Sequence, residues 1–141
     1  MSEEHAQQFM NQMQMLETYF TDLTQREGTL LSVLREAVSA IESIKALREK
    51  PNSDTLVPIG MGTYVQTKIL SSDKIVLNIG AGIAVEKTYD SSINYLEARI
   101  KEIQVALQDT SVKKQEVLAR LEQGKEQMNQ LMQESSQPPL G

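Results

Sequence analysis

Thr55-Leu56-Val57-Pro58-Ile59-Gly60-Met61-Gly62-Thr63-Tyr64-Val65-Gln66-Thr67-Lys68-Ile69-Leu70 is followed, after Ser71-Ser72-Asp73, by Lys74-Ile75-Val76-Leu77-Asn78-Ile79-Gly80-Ala81-Gly82-Ile83-Ala84-Val85-Glu86-Lys87. These are short runs rich in β-branched residues, divided by three turn signals: Gly60-Met61-Gly62, Ser71-Ser72-Asp73 and Gly80-Ala81-Gly82. The pattern predicts four short strands within residues 55–88, arranged as two β-hairpins, with Gly60, Gly62, Gly80 and Gly82 as turn glycines. Pro58 has no amide to give to a ladder, which places the first strand at an edge or leaves it partly paired.

On both sides of this segment the period changes. Upstream, residues spaced alternately by four and three are Phe9, Met13, Leu16, Phe20, Leu23, Glu27, Leu30, Leu34, Ala37, Ile41, Ile44 and Arg48. Downstream they are Ile93, Leu96, Ile100, Ile103, Leu107, Thr110, Lys114, Val117, Leu121, Gly124, Met128 and Leu131. Ten of the first twelve and nine of the second are apolar. A repeat of about 3.5 residues held this long predicts helices that supercoil with a partner, because a globular helix drifts toward about 3.6. Pro51 ends the first helix, assigned to residues 3–50, near Glu49 or Lys50. Asp90, Ser91 and Ser92 are candidate N-caps for a second helix over residues 91–133. The tail, residues 134–141, has a disordered composition.

Two seams of similar length joined by a compact insert fold back most simply on each other. The expected fold is therefore α+β: a long antiparallel two-helix coiled-coil hairpin with two β-hairpins inserted between the helices, forming one domain over residues 1–141. Fold-back brings residues 9–16 beside 124–131 and both termini to one distal tip. If facing seam positions sum to ~140, as an antiparallel hairpin requires, Glu27 and Lys114 lie at nearly one level and can pair across the arm.

Composition narrows the function classes. The chain has no Cys, which excludes disulfides and thiolate metal sites and fits an intracellular protein. Its net charge is −5, with no Lys or Arg before Arg26, so neither nucleic acid nor an anionic membrane is an expected partner. No apolar run approaches the ~20 residues of a membrane span, and the polar, acidic start is unlike a signal peptide. The expected location is cytoplasmic.

Alternation places Val65 and Ile69 on one face of the second strand, and Ile75, Leu77 and Ile79 on one face of the third. Four short strands have little within one chain to cover such a face, and exposed strand edges invite pairing. Val57, Pro58, Ile59, Tyr64, Val65, Ile69, Ile75, Leu77, Ile79 and Val85 are accordingly assigned to subunit assembly. By this reasoning alone, a structural coiled-coil adaptor that oligomerises through its hairpins stands as an alternative to a binding protein.

Leu56-Val57-Pro58-Ile59-Gly60-Met61-Gly62-Thr63-Tyr64-Val65, with Ile79-Gly80-Ala81-Gly82-Ile83-Ala84-Val85-Glu86-Lys87, resembles the hairpin region of α-class prefoldin subunits, particularly archaeal ones. The helix–four strands–helix layout extends the resemblance over nearly the whole chain. β-class subunits carry a single hairpin, so two hairpins point to the α class. Met61 and Asn78 depart from the small residues common there. The resemblance implies a molecular chaperone built as a hexamer of two α and four β-type subunits, whose hairpins form a β-barrel platform bearing six coiled-coil arms. It further implies that unfolded client proteins are held between the arm tips, without nucleotide, and passed to a group II chaperonin.

Met1, Met10, Met13, Met15, Met128 and Met132 converge on the predicted tip. Unbranched, polarisable Met side chains adapt to varied apolar partners, so Met10, Met13, Met15, Met128, Leu131 and Met132 are the candidate client-binding residues. Met13 and Met128 also fall on the seam, where packing the coil is the favoured role for those two residues. Met10, Met15 and Met132 fall off it, which favours binding. Glu3, Glu4, Glu17, Glu122, Glu126 and Glu134, against Lys125, make the tip acidic, a charge suited to basic partners.

Gly80-Ala81-Gly82-Ile83-Ala84-Val85 has the outline of a dinucleotide loop, but Val85 replaces the third glycine and a strand follows instead of a helix, so a strand turn is the better reading. His5 stands alone. No catalytic, metal or cofactor constellation forms, and neither an enzyme nor a cofactor is expected.

Overall fold

A computed structural model describes residues 2–70 and 74–136. The elements run α1 (Glu3–Glu49), β1 (Asp54–Gly60), β2 (Thr63–Lys68), β3 (Ile75–Gly80), β4 (Ile83–Lys87) and α2 (Tyr89–Ser136). Two long helices thus carry two antiparallel strand pairs between them. The expected turn at Ser71-Ser72-Asp73, Met1, and residues 137–141 of the tail lie outside the described residues.

Caps explain where the helices begin. Ser2 caps α1: its Oγ accepts from the His5 amide at 3.3 Å, and its carbonyl accepts from the Ala6 amide at 3.1 Å. Thr88, which no cap assignment had included, caps α2. Its Oγ1 accepts from the Ser91 amide at 3.1 Å, and its carbonyl from the Ser92 amide at 3.0 Å. The second helix therefore starts at Tyr89, two residues before position 91, and continues through Ser136 into part of the assigned tail. Arg48, an interruption in the first seam, pairs with Asp90 at the start of α2.

The chain divides into two compact units. In the first, residues 2–31 and 105–136, the helices bury Leu23, Val117 and Leu121, with Met13, Leu16 and Phe20 packed against them. The pairing is antiparallel: Met13 lies against Gly124 and Glu27 against Lys114, so positions rise along α1 as they fall along α2. Full burial of such a side chain contributes about 1.5–3 kcal/mol. Polar seam residues find partners within their own helix or across the arm. Thr110, only 1% exposed, donates from Oγ1 to the Ala106 carbonyl at 2.8 Å. Lys114 Nζ lies 3.3 Å from Glu27 Oε1 and 5.3 Å from the centre of the Phe20 ring.

In the second unit, residues 32–104, Ile41, Ile44 and Ile93 form the core, joined by Ile75, Tyr89, Leu96 and Ile100. β1 pairs only with β2, and β3 only with β4, among the described residues. The hairpins are copies of one design offset by twenty residues. Val57 faces Val65 as Leu77 faces Val85, and each ladder shifts register before the turn, leaving Ile59 and Ile79 without a cross-strand partner. Both turns take the primed hairpin form, with positive φ at Met61 and Gly62 (46° and 75°) and at Ala81 and Gly82 (53° and 74°). The preceding glycines, Gly60 at φ 123° and Gly80 at φ 104°, occupy backbone that other residues rarely adopt. Asn78, unexpected from the sequence pattern, accepts the Gly80 amide on Oδ1 at 3.0 Å and braces the second bulge.

Candidate functional site

Two surfaces stand out, one in each unit. In the first unit, the end where α1 begins and α2 finishes holds two adjoining grooves of about 580 and 470 Å³. The 3.5-residue period sets their walls. Phe9, Met13, Met128 and Leu131, on the seam, are half-buried, whereas Met10 and Met132, flanking it, are 55% and 63% exposed. Met10 and Met128 line both grooves. Five of the six candidate client-binding residues are thus brought together. Met15 is not: it lines neither groove and is 72% exposed, because it lies on the outer face of α1. Glu17, Lys125 and Glu134 supply charge at the rims.

Gly124 contributes a feature that a seam pattern reads only as a gap. It is buried, and a Cβ built on it would lie 2.2 Å from the Met13 sulfur and 2.6 Å from its methyl carbon. The missing side chain leaves a notch in α2 that the end of Met13 fills. Phe9 completes the apolar wall; its place in the heptad was the available signal.

In the second unit the hairpins are the exposed apolar surface. Val57, Ile59, Tyr64, Val65 and Ile79 are between 43% and 65% exposed, and Leu56, Val76 and Ile83 are similarly open. Pro58 is exposed, whereas Ile69, Leu77 and Val85 are half-buried. Ile75 differs from the other assembly candidates, since it packs on the Ile41, Ile44 and Ile93 core and anchors the second hairpin to the helices. An isolated two-stranded hairpin is marginal in water, and here both present free edges and apolar side chains together.

Among the described residues, no group of three or more His, Asp or Glu side chains could hold a metal ion. Among the described residues, no helix is long and apolar enough to cross a membrane.

A pair of long helices that pack on each other and carry two bulged hairpins between them defines a coiled-coil subunit class, and the comparisons with known proteins name it. The prefoldin subunit family model matches residues 9–134. A prefoldin subunit alpha from Nitrosopumilus maritimus is 68% identical over 142 residues, covering 99% of this chain and 98% of the relative. One from Pyrococcus horikoshii is 35% identical over 92 residues, covering 65% of this chain and 57% of the relative. The fold is shared with a chain of the filamentous prefoldin from Methanocaldococcus jannaschii, at TM-score 0.59 and 22% identity over 86% of this chain and 96% of that one. It is shared also with the prefoldin beta subunit from Thermococcus strain KS-1, at TM-score 0.61 and 16% identity over 96% and 95%. The chain belongs to the prefoldin family, as a chaperone subunit of the α type.

Proposed function

We propose that this chain assembles through its hairpins with a second α subunit and four β-type subunits into a hexamer, and holds unfolded proteins in its methionine-lined grooves without nucleotide. Held clients pass to a group II chaperonin. The complex works in the cytoplasm and performs no enzymatic step. The observation that carries the assembly reading is the state of the hairpins: two separate two-stranded sheets, both with free edges and with apolar residues in the open. Proteins remove such edges by pairing them. The grooves support the holding role, because their walls carry adaptable thioether side chains beside Phe9 and Leu131.

The test is to mix the full chain with a β-type prefoldin subunit, measure native mass, and follow aggregation of a denatured protein diluted into the mixture. A mass of six subunits together with suppressed aggregation is expected. Assembly without suppression would favour the structural adaptor. Removing residues 1–15 and 126–141 should spare the mass and weaken suppression. Unchanged suppression after that trim would place capture elsewhere.

A further inference from the structure

Resting on that reading of the grooves, we infer that the Gly124 notch is a subsite for a single unbranched apolar side chain of a client, and that Met13 is its built-in competitor. The Met13 sulfur and terminal methyl lie 2.2 and 2.6 Å from where a Cβ at position 124 would be, so they fill space that any other residue at 124 would close. The occupant already seated there states the chemistry that fits: a flexible, unbranched chain whose sulfur and terminal methyl reach the Gly124 backbone. A β-branched side chain carries its bulk beside its own backbone and does not reach in this way. The notch also opens on a groove rather than on sealed core. Gly124 and Met13 both line the 580 Å³ groove with Met10 and Met128, and Met13 is only half-buried. Met13 has three rotatable bonds beyond its backbone and can swing into that groove at small cost. A glycine inside a helix is otherwise a loss of stability; at position 124 it leaves a hole with one removable stopper.

The experiment uses the full chain in complex with its β-type partner and two labelled, unstructured peptides that differ at one central position, norleucine in one and isoleucine in the other. Anisotropy titrations read the ratio of their affinities. The wild-type chain should prefer the norleucine peptide modestly, because Met13 competes. Met13→Ala vacates the notch and should raise that preference about tenfold, the scale of one well-filled apolar subsite. Gly124→Ala closes the notch and should bring the ratio to one while leaving native mass unchanged. The same ratio in all three proteins overturns the inference, as does failure of the wild-type complex to bind either peptide. A Met10→Ser/Met132→Ser variant separates the two levels. If it loses both peptides while the ratios stay flat, only the notch fails. If it binds both as tightly as wild type, the groove itself is not the capture site.

Discussion

Lys114 joins α2 to α1 by two contacts at once, its Nζ 3.3 Å from Glu27 Oε1 and 5.3 Å above the Phe20 ring. Both charged side chains are largely covered, at 21% and 31% exposure. Opposite charges facing each other across a mostly apolar seam hold register, since a slip of one heptad would leave each against hydrocarbon. A double-mutant cycle with Glu27→Gln and Lys114→Gln should give a coupling of about 0.5–1 kcal/mol, the upper part of the range for incompletely buried pairs. Additive effects on thermal unfolding would show that the pair is incidental. Replacing both by Leu should leave stability equal or higher, because removing the two charges together also removes their desolvation cost.

The two hairpin turns give an opposite sign. Met61 and Ala81 sit at φ 46° and 53°, in left-handed backbone that costs an ordinary side chain about 1–2 kcal/mol and that Asn tolerates better. Met61→Asn and Ala81→Asn should each stabilise the chain by about 0.5–1 kcal/mol in denaturant unfolding. Gly60→Ala, at φ 123°, should destabilise it although no atom stands in the way of the new methyl. Equal stability of Gly60→Ala and wild type would mean that this turn relaxes freely.

Ile59 and Ile79 occupy equivalent bulges, are 65% and 46% exposed, and have no cross-strand partner. Ile59→Asp or Ile79→Asp should weaken association with a β-type subunit by about 2 kcal/mol or more, as loss of an apolar anchor at an interface does. Helix content by circular dichroism should hold, because neither residue is in a helical core cluster. Association unchanged in both variants would move the interface off the bulged face.

The helices and the strand pairs were legible because each rests on a period: 3.5 for the seams and two for the strands, broken where glycines sit. What stayed hidden depends on which partner a residue meets. Thr88 reads as the end of a strand, and three good capping residues follow it, so nothing local says that its hydroxyl takes the Ser91 amide. Gly124 reads as a flaw until the Met13 thioether is seen against it. Met10 and Met15 both read as off-seam methionines. Only the helix face distinguishes Met10, which borders the seam and lines the grooves, from Met15, which points outward.

Thr110 tests how much of the seam's polarity is structural. It is 1% exposed, and its hydroxyl donates back to the Ala106 carbonyl at 2.8 Å within its own helix turn. That carbonyl already lies within the α2 hydrogen-bond ladder, so deleting the hydroxyl strands no buried group, and the usual penalty for an orphaned partner does not arise. Thr110→Val keeps the side-chain volume close to that of Thr and turns a polar seam position apolar. It should leave thermal stability equal or raise it by up to about 1 kcal/mol. Thr110→Asp places an unpaired charge in the same covered space and should cost several times that amount. If Thr110→Val instead destabilised the chain by about 1 kcal/mol or more, the hydroxyl would be serving a partner outside its own helix, and the seam at this level would be a contact surface rather than a closed one.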